Sequence, residues 1–251
     1  VTAHPVTADP FGTAAVRERV LDAWAASAAR LREDANAEED AALGGYRDRL
    51  VVELAQNAAD AAASAGVEGR LLLHLDPDGP RGPRLLAANT GAPLDAAGVE
   101  GLATLRASAK RDDGDALVGR FGVGFSAVLS VTDDPAVIGD GGGVRFSRSA
   151  TRELVRSRAA SAPALGAELD RRAGHVPVLR LPFPATAEAV GGVPAGYDTV
   201  VELPLRDADA VSVATTLLEA ADDVLLLALP ALAEVVVELP GRERRVLRDV
   251  G

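Results

Sequence analysis

The chain has 251 residues, 48% of them hydrophobic, and a formal charge of −11, so it can bury a substantial core, and disorder throughout is excluded. The acidic balance, with no Lys/Arg-rich run carrying interleaved aromatics, argues against a nucleic-acid-binding face. The absence of cysteine removes disulfides, thiolate metal sites and cysteine nucleophiles, and His4, His74 and His175 lack metal-ligand spacing.

Val1–Pro10 has neither the basic start nor the apolar stretch of a signal peptide. The most apolar run, 224–237, is interrupted by Pro230 and Glu234 and is short of the roughly 20 residues a membrane helix needs. The expectation is a cytoplasmic protein with no membrane partner. Residues 14–33 predict an amphipathic helix with Val16, Val20, Trp24, Ala28 and Leu31 along one stripe. An acidic connection over 34–43 leads to a second helix over 46–65, closed by Gly66. Two strands, 70–76 and 84–88, flank the turn-rich PDGPRGP, and a helix follows over 95–107. After the polar loop 108–116, a helix is predicted over 122–131, then a hairpin of strands 135–139 and 144–148 around three glycines. Residues 150–173 read as helix, 176–181 and 199–205 as strands, 209–228 as helix, and 233–239 and 243–249 as a final strand pair. Helices and strands mix without βαβ alternation, which points to an α+β fold with helices layered on a mixed sheet.

Three segments carry candidate chemistry. In ELAQNAADAA, Glu53, Asn57 and Asp60 fall within about 60° of one another around the helix axis, beside an apolar stripe of Leu50, Leu54 and Ala61. Taken alone, this also reads as a solvated polar face. Asn89-Thr90-Gly91 follows a strand, as ordinary turns do. The run Gly119-Arg120-Phe121-Gly122-Val123-Gly124-Phe125 opens a helix, where glycines let backbone N–H groups approach an anion that the helix dipole favours. A polar loop precedes it, so a Rossmann reading fails, and no P-loop motif is present.

In order and spacing together, E-x-x-x-N-x-x-D-A, then N-T-G after two strands, then a loop with Ser and Lys, then GRFGVGF, resemble the GHKL superfamily of ATPases. The form of the glycine motif and the Gln56-Asn57 pair are most similar to the heat-shock protein 90 and sacsin branch. The resemblance spans about residues 46–205. It implies a two-layer sandwich with a mixed, mostly antiparallel sheet covered on one face by helices. It also implies an N-terminal helical extension over 1–42, an ATP-binding domain over 43–207, and a C-terminal helix and strand pair over 208–251.

The same resemblance assigns roles. Glu53 falls at the catalytic glutamate that deprotonates the attacking water, and Asn57 at the magnesium position. Asp60 falls where a supporting hydrogen bond is made, or is a surface acid. Lys110, the only lysine among 26 basic residues, lies in the loop matching the lid and suits a phosphate contact. Gly119, Phe121, Gly122, Val123, Gly124 and Phe125 match the phosphate-cradling loop and its helix. Thr199 matches a threonine that helps bind adenine, although a β-branched residue in a strand is ordinary. The implied cofactors are ATP and Mg²⁺. The implied partners are ATP or ADP and a client protein or domains beyond residue 251, with room for an ATP-dependent homodimer. An alternative is a nucleotide sensor that binds ATP or ADP with little hydrolysis. A histidine kinase would need a phosphoacceptor histidine on a preceding helix, and His4 is poorly placed for that.

The chain departs from the family at Asn89, where an aspartate usually accepts from the adenine amino group, at Pro93, and at Asp198 in place of a glycine. A neutral acceptor is worth roughly 0.5–1.5 kcal/mol against 1.5–3 for a charged one, so weaker binding by about 1 kcal/mol is expected.

Overall fold

The computed structural model describes residues 9–43, 49–104 and 123–248. Two helices open it, α1 (Thr13–Ala26) and α2 (Ala28–Leu43), then α3 (Leu50–Ala65), strands β1 (Gly69–Asp76) and β2 (Arg84–Asn89), and α4 (Ala96–Thr104). A 3₁₀ helix (Val123–Ser130) leads to β3 (Ala136–Gly139), β4 (Gly142–Arg145), α5 (Arg148–Ala159) and α6 (Pro163–Arg171). The chain continues through β5 (Phe183–Ala185), a short 3₁₀ turn (Ala187–Val190), β6 (Thr199–Pro204), α7 (Ala208–Ala220), α8 (Val224–Ala228), β7 (Leu232–Glu238) and β8 (Arg245–Arg248). The strands form one mixed eight-stranded sheet in the order β5-β4-β3-β6-β2-β1-β7-β8. Only β1 and β7 pair in parallel among the described residues; the other neighbours run antiparallel. The α+β class expected from the sequence is the class observed.

Alternation along β1 sends Leu71, Leu73 and Leu75 to one face, where they meet Leu50, Leu54 and Ala58 of α3, Val99 of α4, Phe125 of the 3₁₀ helix and Leu218 of α7. The alanines of α3 keep that helix low against the sheet. The opposite face is not bare: Leu86, Ala88, Ile138 and Val200 pack with Val190, and Val193 and Tyr197 from the 186–198 segment add to the cluster. A third cluster joins Leu21 and Trp24 of α1 and Leu31 of α2 to Val155, Leu165 and Leu169 of α5 and α6. The first two helices are therefore tied to the middle of the chain.

Several predicted elements are divided. The helix expected over 14–33 breaks at Ser27, whose backbone is extended, and the acidic stretch beyond it is helical through Leu43. Its Ala and Glu content favours helix, and Arg172 draws in Asn36 and Glu39 at 2.6 and 2.5 Å. The helix expected over 150–173 is two helices, because Pro163 cannot donate to a preceding turn and starts α6 instead. The helix expected over 209–228 stops at Ala220, where Arg245 donates to the carbonyls of Leu218, Glu219 and Ala221. The 122–131 helix is 3₁₀ rather than α over its described residues.

The strand expected over 176–181 is absent. The backbone N–H groups of Val178 and Leu179 donate to the carboxylate of Glu38 at 2.5 and 2.9 Å, so these donors serve a side chain of α2 and not a neighbouring strand. Arg180 is also buried; its Nε lies 3.2 Å from Asp34 Oδ1 without an aligned hydrogen bond, and its Nη1 donates to the Ala103 carbonyl at 3.2 Å. Burial pushes the Glu38 carboxyl up to about 7, against the opposing pull of Arg180 and the two N–H groups. A carboxyl with a raised folded-state pKa favours the fold when protonated. Its contribution is therefore complete below the ordinary 4.5 and fades as pH rises to about 7. Urea unfolding at pH 5 and pH 8 should differ by roughly 3 kcal/mol from this group, and Glu38→Gln should flatten that difference. An unchanged slope in the variant would assign the pH dependence to other groups.

Candidate functional site

The Asn89-Thr90-Gly91 segment, which closes β2, divides its three residues among three supports. Asn89 is buried at the strand end, in register with Thr199 of β6. The Thr90 hydroxyl accepts from Arg70 N at 2.9 Å and donates to Glu68 O at 3.0 Å, stapling the turn to the start of β1. Gly91 lies on the backbone of α3: with φ at +124°, a Cβ there would stand 2.5 Å from the Ala61 carbonyl carbon. Ala92 N donates to Ala61 O at 3.0 Å, continuing the attachment. Residues 91–95 thus form a strap from β2 across α3 toward α4.

Beneath this strap lies a cavity. Leu54, Leu71, Ala87, Leu94 and Val201 give it apolar walls, and Asn57, Asn89, Asp95 and Thr199 add polar groups. Two of these polar groups, Asn57 Nδ2 and Thr199 Oγ1, are buried without a hydrogen-bond partner among the described residues. Such orphans are costly unless something fills the space beside them. The cavity volume is about 20 Å³, room for one water.

One turn before Asn57 on α3, the half-buried Glu53 reaches the start of the 3₁₀ helix. A Cβ built on Gly124 would overlap its carboxylate, so the absence of a side chain at 124 is what admits the acid there. Burial raises the Glu53 carboxyl above its ordinary range, and Arg49 partly offsets this. The carboxylate, the carboxamide and the cavity therefore follow one another along one face of α3.

The remaining candidates distribute as follows. Asp60 is exposed on α3 and does not line the cavity, although partial burial of its carboxyl raises it above the ordinary value. Phe125 is buried in the main core beneath α3, a packing position and not a cavity wall. Val123 opens the 3₁₀ helix. Lys110, Gly119, Phe121 and Gly122 lie outside the described residues. Asp198, which stands where the family has a glycine, is exposed and accepts from Gly91 N at 2.8 Å through Oδ2, while its own N–H donates to Asn89 O at 2.9 Å. It braces the strap from outside.

Sequence reasoning missed the walls: Leu71, Ala87 and Val201 carry only the signal of strand residues facing the core. Leu94 and Asp95 could have been suspected from their place after N-T-G. Among the described residues no cluster of three acid or histidine side chains could hold a metal ion by itself, and no helix is long and apolar enough to cross a membrane. No family model matches the chain, and no curated protein matches it.

Proposed function

We propose that this chain is a magnesium-dependent ATP-binding and ATP-hydrolysing domain of the GHKL type, similar to the nucleotide domains of heat-shock protein 90 and sacsin. The observation that carries this reading is the line of three features along α3. Glu53 stands against the glycine that opens the 3₁₀ helix; Asn57 stands one turn further on; and beyond it lies a cavity with unpartnered polar atoms on Asn57 and Thr199. A base takes the cavity between Leu54 and Val201, with Asn89 and Thr199 at its polar edge. The phosphates extend toward the N-terminal end of the 3₁₀ helix, where backbone N–H groups and the helix dipole favour negative charge.

Asn57 fits a magnesium role. Its carboxamide oxygen would be the ligand, since Mg²⁺ takes few protein ligands, commonly one or two oxygens together with substrate phosphates and water, and its unpartnered Nδ2 is a donor suited to a phosphate oxygen. When bound, the ion neutralises charge on the phosphate oxygens. Glu53 orients the attacking water and takes its proton as the water oxygen bonds to the terminal phosphorus and the bond to ADP breaks. Its raised carboxyl is closer to neutral pH than an ordinary glutamate and so a better matched base. Because the cavity holds one water as it stands, admitting a base moves its walls, and nucleotide occupancy becomes a conformational signal. The chaperone-like role, the client protein, the ATP-dependent homodimer and the cytoplasmic setting extend this reading by resemblance to the family.

The test is calorimetric titration of ATP with and without Mg²⁺, followed by phosphate release. Saturable binding strengthened by Mg²⁺ is expected; no binding at millimolar ATP overturns the proposal. Asn89, a neutral residue at the strand end, favours one second reading, a nucleotide sensor. Binding with no phosphate release above buffer would select it.

A further inference from the structure

The β1-β7-β8 end of the sheet carries a surface that the nucleotide reading does not use. β8 is the last strand there, and among the described residues no element pairs with its outer edge. Alternation sends Arg245 and Leu247 to the helical side, where Arg245 donates to the end of α7 and Leu247 packs on the main core. Arg244, Val246 and Arg248 therefore share the other face, and all three are exposed. The 186–198 segment reaches that face at Tyr197, whose ring centre lies 5.3 Å from the Arg70 guanidinium carbon.

Strand register lays three rows of side chains across β1, β7 and β8. In the first, Glu234 is shared by Arg70 at 3.4 Å and Arg248 at 2.6 Å. The second is apolar: Leu72, the buried Val236, and Val246, which is 41% exposed. In the third, Glu238 stands 3.1 Å from His74 Nδ1 and 3.3 Å from Arg244 Nε. An open groove of about 800 Å³ lies over this end and is lined also by Glu68. Arg248 engages Glu234 through Nε and Nη2, and a guanidinium has five N–H donors, so donors remain for a further acid. Arg244 and Arg248 are 59% and 69% exposed. Residues 242–248 hold four arginines and one glutamate in a chain whose net charge is −11.

We propose that β8 is a docking edge for an extended acidic segment of a partner protein. The segment adds one strand to the sheet, with carboxylates opposite Arg244 and Arg248 and an apolar side chain opposite Val246. Alternate residues of a strand share a face, so the motif required is acid-x-apolar-x-acid. Main-chain hydrogen bonds along the edge supply affinity, and the three facing side chains supply specificity. A second copy of this chain does not suit the edge. Antiparallel self-pairing about Val246 sets Arg244 against Arg248, and like charges directly opposite destabilise a pair. Nucleic acid would meet the arginines, but it cannot pair in strand register with alternating main-chain donors and acceptors.

The experiment titrates the 251-residue chain, without nucleotide, into fluorescein-labelled peptides and follows anisotropy. The probe peptide is TETVTET, and the control is its permutation TTEEVTT, which has the same charge but puts its acids on opposite faces. The probe should bind saturably. The permutation, and separately the double variant Arg244→Gln/Arg248→Gln, should each weaken binding about 5-fold or more, the order that two exposed ion pairs supply. No saturable binding of the probe at about 1 mM protein overturns the proposal. So does equal affinity for the two peptides, or an affinity that the double variant leaves unchanged. A single-stranded heptanucleotide that binds more tightly than the probe would assign the edge to charge alone and likewise overturn it. The two peptides compared on the wild type decide the matter if the double variant does not fold. All of these results leave the nucleotide reading intact, since the groove and the cavity share no lining residue.

Discussion

Replacing Glu53 by glutamine is expected to lower ATP hydrolysis by about 10²–10⁴-fold while changing ATP affinity only a few-fold, since loss of a positioned general base has that order of effect. Glutamine keeps the shape that rests against Gly124, so the neighbouring packing is undisturbed. Phosphate release under single-turnover conditions, with affinity measured separately, distinguishes loss of the base from loss of binding. Wild-type rates in Glu53→Gln would remove Glu53 from the chemistry. Gly124→Ala is the companion measurement. The atoms its new Cβ meets are those at the free end of a flexible side chain, so the fold should survive while the carboxylate is pushed off its position and hydrolysis falls. The raised Glu53 carboxyl also sets a pH dependence: the base works deprotonated, so the acid limb of the rate profile should sit at higher pH than an ordinary glutamate would give. That limb should be absent in the glutamine variant.

Gly91→Ala is expected to have the largest effect on stability, about 3 kcal/mol or more, with a fall in melting temperature on the order of 10 °C for a chain of this size. Two effects combine there. The backbone φ of +124° is one that residues with a Cβ rarely adopt. The new atom would also stand 2.5–2.6 Å from backbone atoms of Ala61 and Ala62, which cannot rotate aside. Relief requires the strap to lift off α3, breaking the Ala92 bond to Ala61 and the Asp198 bond to Gly91. Gly66→Ala is the control: it also has positive φ, at +64°, but nothing within 4 Å, so only the left-handed strain of about 1–2 kcal/mol applies. Equal losses in the two variants would mean that the close approach to α3 contributes nothing.

Much of the site's layout could be read from the chain as written. Glu53 and Asn57 are four residues apart in a segment with a clear apolar stripe, so their shared helix face follows from the helical repeat, and the structure has them on one face of α3. Gly66 as the end of that helix needed only the left-handed preference of glycine, and it has φ 64° there. The strands around PDGPRGP, and β6 with its TVVELP run, were legible because their patterns are local: an apolar run bounded by turn residues. The class, α+β with a mixed sheet, followed from the same local patterns taken in order.

What depended on distant partners could not be read that way. Residues 176–181 have strand composition, yet Glu38, 140 residues earlier, takes the N–H groups a strand would use. Arg245 ends α7 from a strand 25 residues further along. Phe125 sits in a motif that suggests ligand contact and is instead claimed by the core, because the 3₁₀ helix packs against α3. The volume of the cavity and the bracing of Gly91 by Asp198 likewise exist only once β2 and β6 are paired in register. The sequence by itself determined the helix face that carries Glu53 and Asn57, the glycine stops and the α+β class, because short-range periodicity and backbone sterics act within a few residues. Tertiary structure decided which polar groups remain unpartnered, how much space lies beside them and which strand-like segment is not a strand. Those outcomes are set by competition for hydrogen bonds and packing volume between residues far apart along the chain.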